Sequence, residues 1–99
     1  MSKVVHSKRE PFDVYIGRPS PWGNPFVLNR DGTRGEVIAK YRRYLWQRIR
    51  REGAPFIAQL ASLQGKTLGC FCAPKACHGE VLVKAADWAA NQRGLTNDH

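Results

Sequence analysis

The sequence predicts a single small α/β domain, a short, mostly parallel or mixed sheet of three or four strands packed by about three helices. Three observations predict it. The chain has 99 residues, 42% of them apolar, which is enough for one modest core. Short strand-like runs occur near the start, at 13–16 and at 67–72, whereas apolar residues recur at helical period in the 34–52 and 79–92 stretches. The elements therefore follow in the order strand, strand, helix, helix, strand, helix, an order that favours layers of helix on a small sheet.

Each element has a local cause. Lys3 to His6 reads as a strand, broken by Lys8-Arg9-Glu10-Pro11. Asp13 to Ile16 reads as a second, stopped by Gly17. From Arg18 to Phe26 there are three prolines and a glycine. This is an ordered loop, because proline fixes its own φ and restricts its predecessor. Asp31-Gly32 is a turn. Thr33 and Glu36 have the spacing of a capping box, which starts a helix that runs to about Glu52 and ends at Gly53. Val37, Ile38, Tyr41, Tyr44, Leu45 and Ile49 share one face of it. Lys40, Arg43, Arg50 and Arg51 fall opposite. Arg48 lies within the apolar sector, where its stem covers apolar surface and its charge reaches water.

Pro55 suits the first turn of a second, shorter helix, which runs to about Leu63, buries Phe56, Ile57, Leu60 and Leu63, and ends at Gly65. Thr67 to Cys72 is a strand with Leu68, Cys70 and Cys72 on one side. A last helix starts at His78 or Gly79, runs to about Gln92, and packs through Leu82, Ala85, Ala86 and Ala89. The polar tail, 94–99, is expected to fray.

No apolar run approaches the ~20 residues that span a membrane, and the start lacks the long apolar stretch of a secretory signal. A cytoplasmic protein with no membrane partner is expected. The net charge is +8, from 16 basic and 8 acidic residues. It favours an anionic partner, a nucleotide or nucleic acid first and an acidic protein surface second.

All three cysteines fall with a histidine in the segment Cys70-Phe71-Cys72-Ala73-Pro74-Lys75-Ala76-Cys77-His78. An odd, closely spaced set is not a disulfide framework, and reduced thiols are expected in a cytoplasm. As a zinc site the segment would use Cys70, Cys72, Cys77 and His78, with His6 a further donor. Adjacent Cys77 and His78 point apart, so no cofactor is expected and zinc is the alternative. As a nucleophile, Cys77 would draw on a helix N-terminus, on His78 and on Lys75, which makes Cys77 and His78 the candidate catalytic pair. As an anion-binding turn, the helix start would offer its N–H groups, Gly79 would allow close approach, and Lys75 and His78 would add polar contacts. The last alternative depends least on special geometry and is preferred. Cys70 and Cys72 then read mainly as small core residues.

The Arg18–Phe26 loop supplies the second candidate wall. Arg18, just past a strand end, can grip phosphate or carboxylate. Trp22 can stack on a base, and Asn24 can read an edge by paired hydrogen bonds. The competing account has Trp22 and Phe26 plugging the core and Asn24 supporting a turn. Lys40, Arg43, Arg50 and Arg51 form either a phosphate-binding stripe or a solvated helix face. Glu80 complements the helix dipole.

Val4-Val5-His6, Asp13-Val14-Tyr15-Ile16-Gly17-Arg18, Trp22-Gly23-Asn24-Pro25-Phe26 and Gly69 through Leu82 together resemble domain-of-unknown-function family 4326, small phage and bacterial proteins. The resemblance runs from about Val4 to Ala86. The Cys77-His78 pair is also similar to the C-terminal motif of family 488, in which arginine follows where this chain has Gly79. Family 4326 is uncharacterised, so the resemblance implies phage association and no mechanism. Its pattern has aspartate where this chain has Glu80, and often cysteine where it has Ser7. The expected function is nucleotide or nucleic-acid binding through the helix start and the Arg18, Trp22, Asn24 loop, with catalysis left open. The alternatives are a phage protein that binds a host factor without chemistry, and a zinc-stabilised structural domain.

Overall fold

The computed structural model describes residues 2–71 and 77–97, with side chains as far as Gln92. It contains β1 (Lys3–His6), β2 (Val14–Tyr15), α1 (Arg34–Glu52), α2 (Ala54–Ala61), β3 (Thr67–Cys70) and α3 (Gly79–Asn97). The three strands form one parallel sheet in the order β1-β3-β2. β3 is the central strand. Lys3 pairs with Thr67 and His6 with Cys70 on one side of it, and Val14 pairs with Leu68 on the other.

β2 is two residues shorter than its apolar pattern, but pairing continues at both ends. Asp13 N donates to Thr67 O at 2.8 Å and Ile16 N to Gly69 O at 2.9 Å. The Asp13 carboxylate also accepts from Thr67 N at 2.8 Å.

The expected capping box starts α1. Glu36 N donates to Thr33 Oγ1 at 3.4 Å, and Thr33 N donates back to Glu36 Oε1 at 2.9 Å. Two orphan N–H groups of the first turn are thereby satisfied. α1 buries Val37, Tyr41, Leu45 and Ile49, while Ile38 and Tyr44 stay half-buried at the edge of that face. Arg48 lies on the face as expected, its guanidinium carbon 4.2 Å from the centre of the Phe56 ring and its Nε donating to Glu52 at 2.7 Å. The opposite face is less uniformly basic than the sequence suggests. Lys40 Nζ turns back to Asp31 O at 2.6 Å, so only Arg43, Arg50 and Arg51 of that stripe are exposed.

α2 starts one residue before Pro55 and ends two before Leu63, which is buried in the following turn. α3 packs against α2 through Leu82, Ala85, Ala86 and Ala89, all buried. It continues to Asn97 rather than stopping near Gln92. A single glycine such as Gly94 lowers helix propensity by about 1 kcal/mol, a cost that a long helix can carry. β3 ends at Cys70, two residues before the expected end. The start of α3 lies hard against the sheet. A Cβ on Gly79 would sit 2.8 Å from Val4 Cγ2 and 2.9 Å from Ile16 Cδ1, so only glycine lets the helix approach this closely.

Candidate functional site

The carboxyl ends of β2 and β3, the first turn of α1 and the residues just before α3 enclose a cleft of about 360 Å³. In open parallel sheets this is where ligands bind. Cys70, Cys77 and His78 make its floor, at 1%, 4% and 7% exposure. Tyr15, Phe26 and Phe71 give it aromatic walls. Arg18 and Arg34 bring positive charge to it, Arg18 from an exposed and Arg34 from a half-buried position.

His78 is fixed by the backbone. Its Nε2 lies 2.7 Å from Ile16 O. A carbonyl oxygen can only accept, so Nε2 carries a proton. The ring meets Tyr41 edge to face, with centroids 4.9 Å apart. Burial pushes the imidazole below its ordinary range. The carbonyls of Ile16 and Trp22 and the Cys70 sulfur pull the other way, Arg18 reinforces the drop, and burial prevails. The ring is therefore neutral at neutral pH, with Nε2 spent on the chain. Tyr41 beside it donates its hydroxyl to Trp22 O at 2.8 Å, and burial raises the phenol above its usual range.

The two sulfurs of the floor touch. Cys70 Sγ and Cys77 Sγ are 3.3 Å apart, and Gly79 N donates to Cys77 Sγ at 3.3 Å. The next N–H groups of α3 also close on the chain: Glu80 N on Cys77 O at 3.2 Å, Val81 N on His78 O at 3.0 Å.

The family model described as "Domain of unknown function (DUF4326)" matches residues 2–88. The chain belongs to the DUF4326 family. This DUF4326 chain is 37% identical over 83 residues to the "uncharacterized 12.4 kDa protein in nrdA-td intergenic region" of Enterobacteria phage T4, which covers 84% of this chain and 75% of the phage protein. It is 30% identical over 90 residues to "uncharacterized protein R718" of Acanthamoeba polyphaga mimivirus, covering 73% of this chain and 65% of that one. No solved structure gives a significant match.

Within this DUF4326 fold, the residues singled out in the sequence part company. Arg18, Asn24, Cys77 and His78 line the cleft together. The Asn24 amide is already used, however. Its Nδ2 donates to Val37 O at 3.2 Å and its Oδ1 accepts from Phe26 N at 2.9 Å. It ties the loop to α1 and sets Phe26 in the wall, rather than presenting an edge to a base. Trp22 lies half-buried against Phe56, with ring centroids 5.8 Å apart, and plugs the core. Gly79 faces Val4 and Ile16, not a ligand. The anion-binding expectation fails at this glycine because the sheet fills the space and Cys77 takes its N–H.

Cys72 and Lys75 lie outside the described residues. Among the described residues no three His, Cys, Asp or Glu side chains could share a metal ion, and His6 Nδ1 accepts from Lys8 N at 3.2 Å. Glu80 lies away from the cleft, in a groove between α1 and α3. No helix among the described residues is long and apolar enough to cross a membrane.

Sequence reasoning missed Arg34, Phe26, Phe71 and Tyr15 as cleft residues, and treated Cys70 as core. One signal was present for Arg34. It is the first helical residue after a cap whose own side chains are tied to each other.

Proposed function

We propose that this protein binds a nucleotide in the cleft, its phosphate held by Arg18 and Arg34 and its base set between aromatic side chains. The observation that carries the reading is that two arginines and three aromatic residues line one cavity of about 360 Å³. Guanidinium groups suit phosphate by forked hydrogen bonding, and aromatic faces accept any base. The volume lies in the range of small-ligand sites. Phe71 is 54% exposed although large and apolar, with Lys8 Nζ 5.7 Å from its ring centre and Tyr15 edge to face at 5.8 Å. The net charge of +8 adds attraction for anions at longer range. The binding elements are thus the Arg18 end of the loop and the first turn of α1, with Trp22 and Asn24 as supports.

Calorimetric titration with nucleoside mono- and triphosphates tests this. Binding is expected, weakened about tenfold or more by Arg18→Ala and by Arg34→Ala, as for loss of a charge-assisted hydrogen bond. No binding at millimolar ligand, or binding indifferent to both substitutions, overturns the reading. Capture of a single-stranded oligonucleotide with the same indifference also does so, because it places the anion site elsewhere.

A further inference from the structure

The cleft floor holds a feature that nucleotide binding does not use. Two buried thiol side chains meet there, Cys70 from the end of β3 and Cys77 from just before α3, with their sulfurs 3.3 Å apart. A disulfide bond is about 2.0 Å long, so the sulfurs need to approach by little more than about 1 Å. Cys70 belongs to β3, and Cys77 is tied to the first turn of α3. Cys70 is paired with His6 in the sheet and its carbonyl accepts from Ser7 N at 2.9 Å. The Cys77 carbonyl accepts from Glu80 N at 3.2 Å.

Cys77 Sγ accepts the N–H of Gly79, the first residue of α3. A helix N-terminal N–H aimed at sulfur stabilises negative charge on it, both in an attacking thiolate and in a leaving one. Cys70 stands at hydrogen-bond distance on the other side. Both residues line the cleft at 1% and 4% exposure, so a small molecule would approach their sulfurs through the cleft.

We propose that Cys70 and Cys77 form a dithiol–disulfide couple that reacts with small-molecule disulfides entering the cleft, Cys77 attacking first and Cys70 resolving. The proposal stands whether or not the cleft binds a nucleotide. In the first step Cys77 gives its proton to solvent, and the resulting thiolate attacks one sulfur of RS–SR. A Cys77–S bond forms, the RS–SR bond breaks, and RS⁻ leaves and takes up a proton from solvent. In the second step Cys70 loses its proton to solvent and attacks Cys77 Sγ. The mixed disulfide breaks, and the second RS⁻ leaves and is protonated. Two protein thiols are oxidised, and one RS–SR is reduced to two RSH. A dithiol reductant reverses the sequence.

The test uses glutathione disulfide with the reduced full chain, followed by alkylation and tryptic mass spectrometry. Trypsin places Cys70 and Cys72 on one peptide, 67–75, and Cys77 on the next, 76–84. The wild type is expected to give these two peptides joined, with fragment ions that put the bridge on Cys70. Cys72→Ser is expected to oxidise in the same way. Cys70→Ser is expected to stop with glutathione on Cys77. Cys77→Ser is expected to react at least about tenfold more slowly, the loss that follows removal of the favoured thiolate. A wild-type bridge on Cys72, or a Cys72→Ser protein whose two remaining thiols stay reduced while glutathione disulfide oxidises a control dithiol, overturns the proposal. The wild-type fragment ions decide the pairing even where a variant fails to fold.

Discussion

The neutral, buried imidazole of His78 makes stability depend on pH in a calculable direction. In the folded chain the ring sits 7% exposed, and burial holds it below the ordinary value of 6.5. Unfolded, it titrates near 6.5. As pH falls through that value the unfolded state takes up a proton that the folded state refuses, so acid favours unfolding. The contribution is complete above about pH 6.5 and declines below it at up to ~1.4 kcal/mol per pH unit, levelling off below the folded-state value. Urea unfolding at a series of pH values from about 8 to 5 measures the slope. The comparison protein is His78→Gln, whose amide can still donate to Ile16 O but does not titrate. His6 and His99 are common to both proteins and cancel. The wild type is expected to lose stability relative to His78→Gln on acidification. A difference that stays flat with pH, or that grows in favour of the wild type in acid, refutes the reasoning. The latter outcome would mean that the Ile16 and Trp22 carbonyls outweigh burial and hold the ring charged.

Two further outcomes follow from packing and hydrogen bonding. Gly79→Ala places a Cβ within 2.9 Å of both Val4 and Ile16 side chains; overpacking of about 1–3 kcal/mol should exceed a helix-propensity gain of at most about 1 kcal/mol, so thermal unfolding shifts downward, and adding Val4→Ala restores part of the loss. Tyr41→Phe removes a 2.8 Å hydrogen bond from a side chain 1% exposed, and chemical denaturation should show a loss of about 1 kcal/mol.

Much of the fold was legible because its causes are local. The Thr33–Glu36 box and the 82/85/86/89 stripe need only a few adjacent residues and appear as read, and the 37/38/41/44/45/49 face appears with Ile38 and Tyr44 only half-buried at its edge. The placement of β3 between β1 and β2 was not legible, because no local pattern encodes which strands pair. The candidate site was partly legible for the same reason. Arg18, Cys77 and His78 were found from residue type and position at element ends. Asn24 was misjudged because its partner, Val37 O, lies on another element. Cys70 looked like core because it is core by exposure, and only the approach of Cys77 from across the 71–76 connection gives it a neighbour with chemistry. Gly79 looked open because a sequence does not show what stands in front of a glycine.

The central place of β3 also sets when this chain can fold. β1 and β2 precede β3 in the sequence, yet they do not pair with each other, and every strand pair waits for Thr67–Cys70. A nascent chain whose first sixty or so residues have left the ribosome has its α1 and α2 sequences but no sheet to lay them on. Closing loops of that length precedes the reward of pairing, which slows assembly. The same insertion builds the cleft floor, since Cys70 arrives with β3. The cleft therefore forms together with the sheet, and a fragment ending before Thr67 has neither.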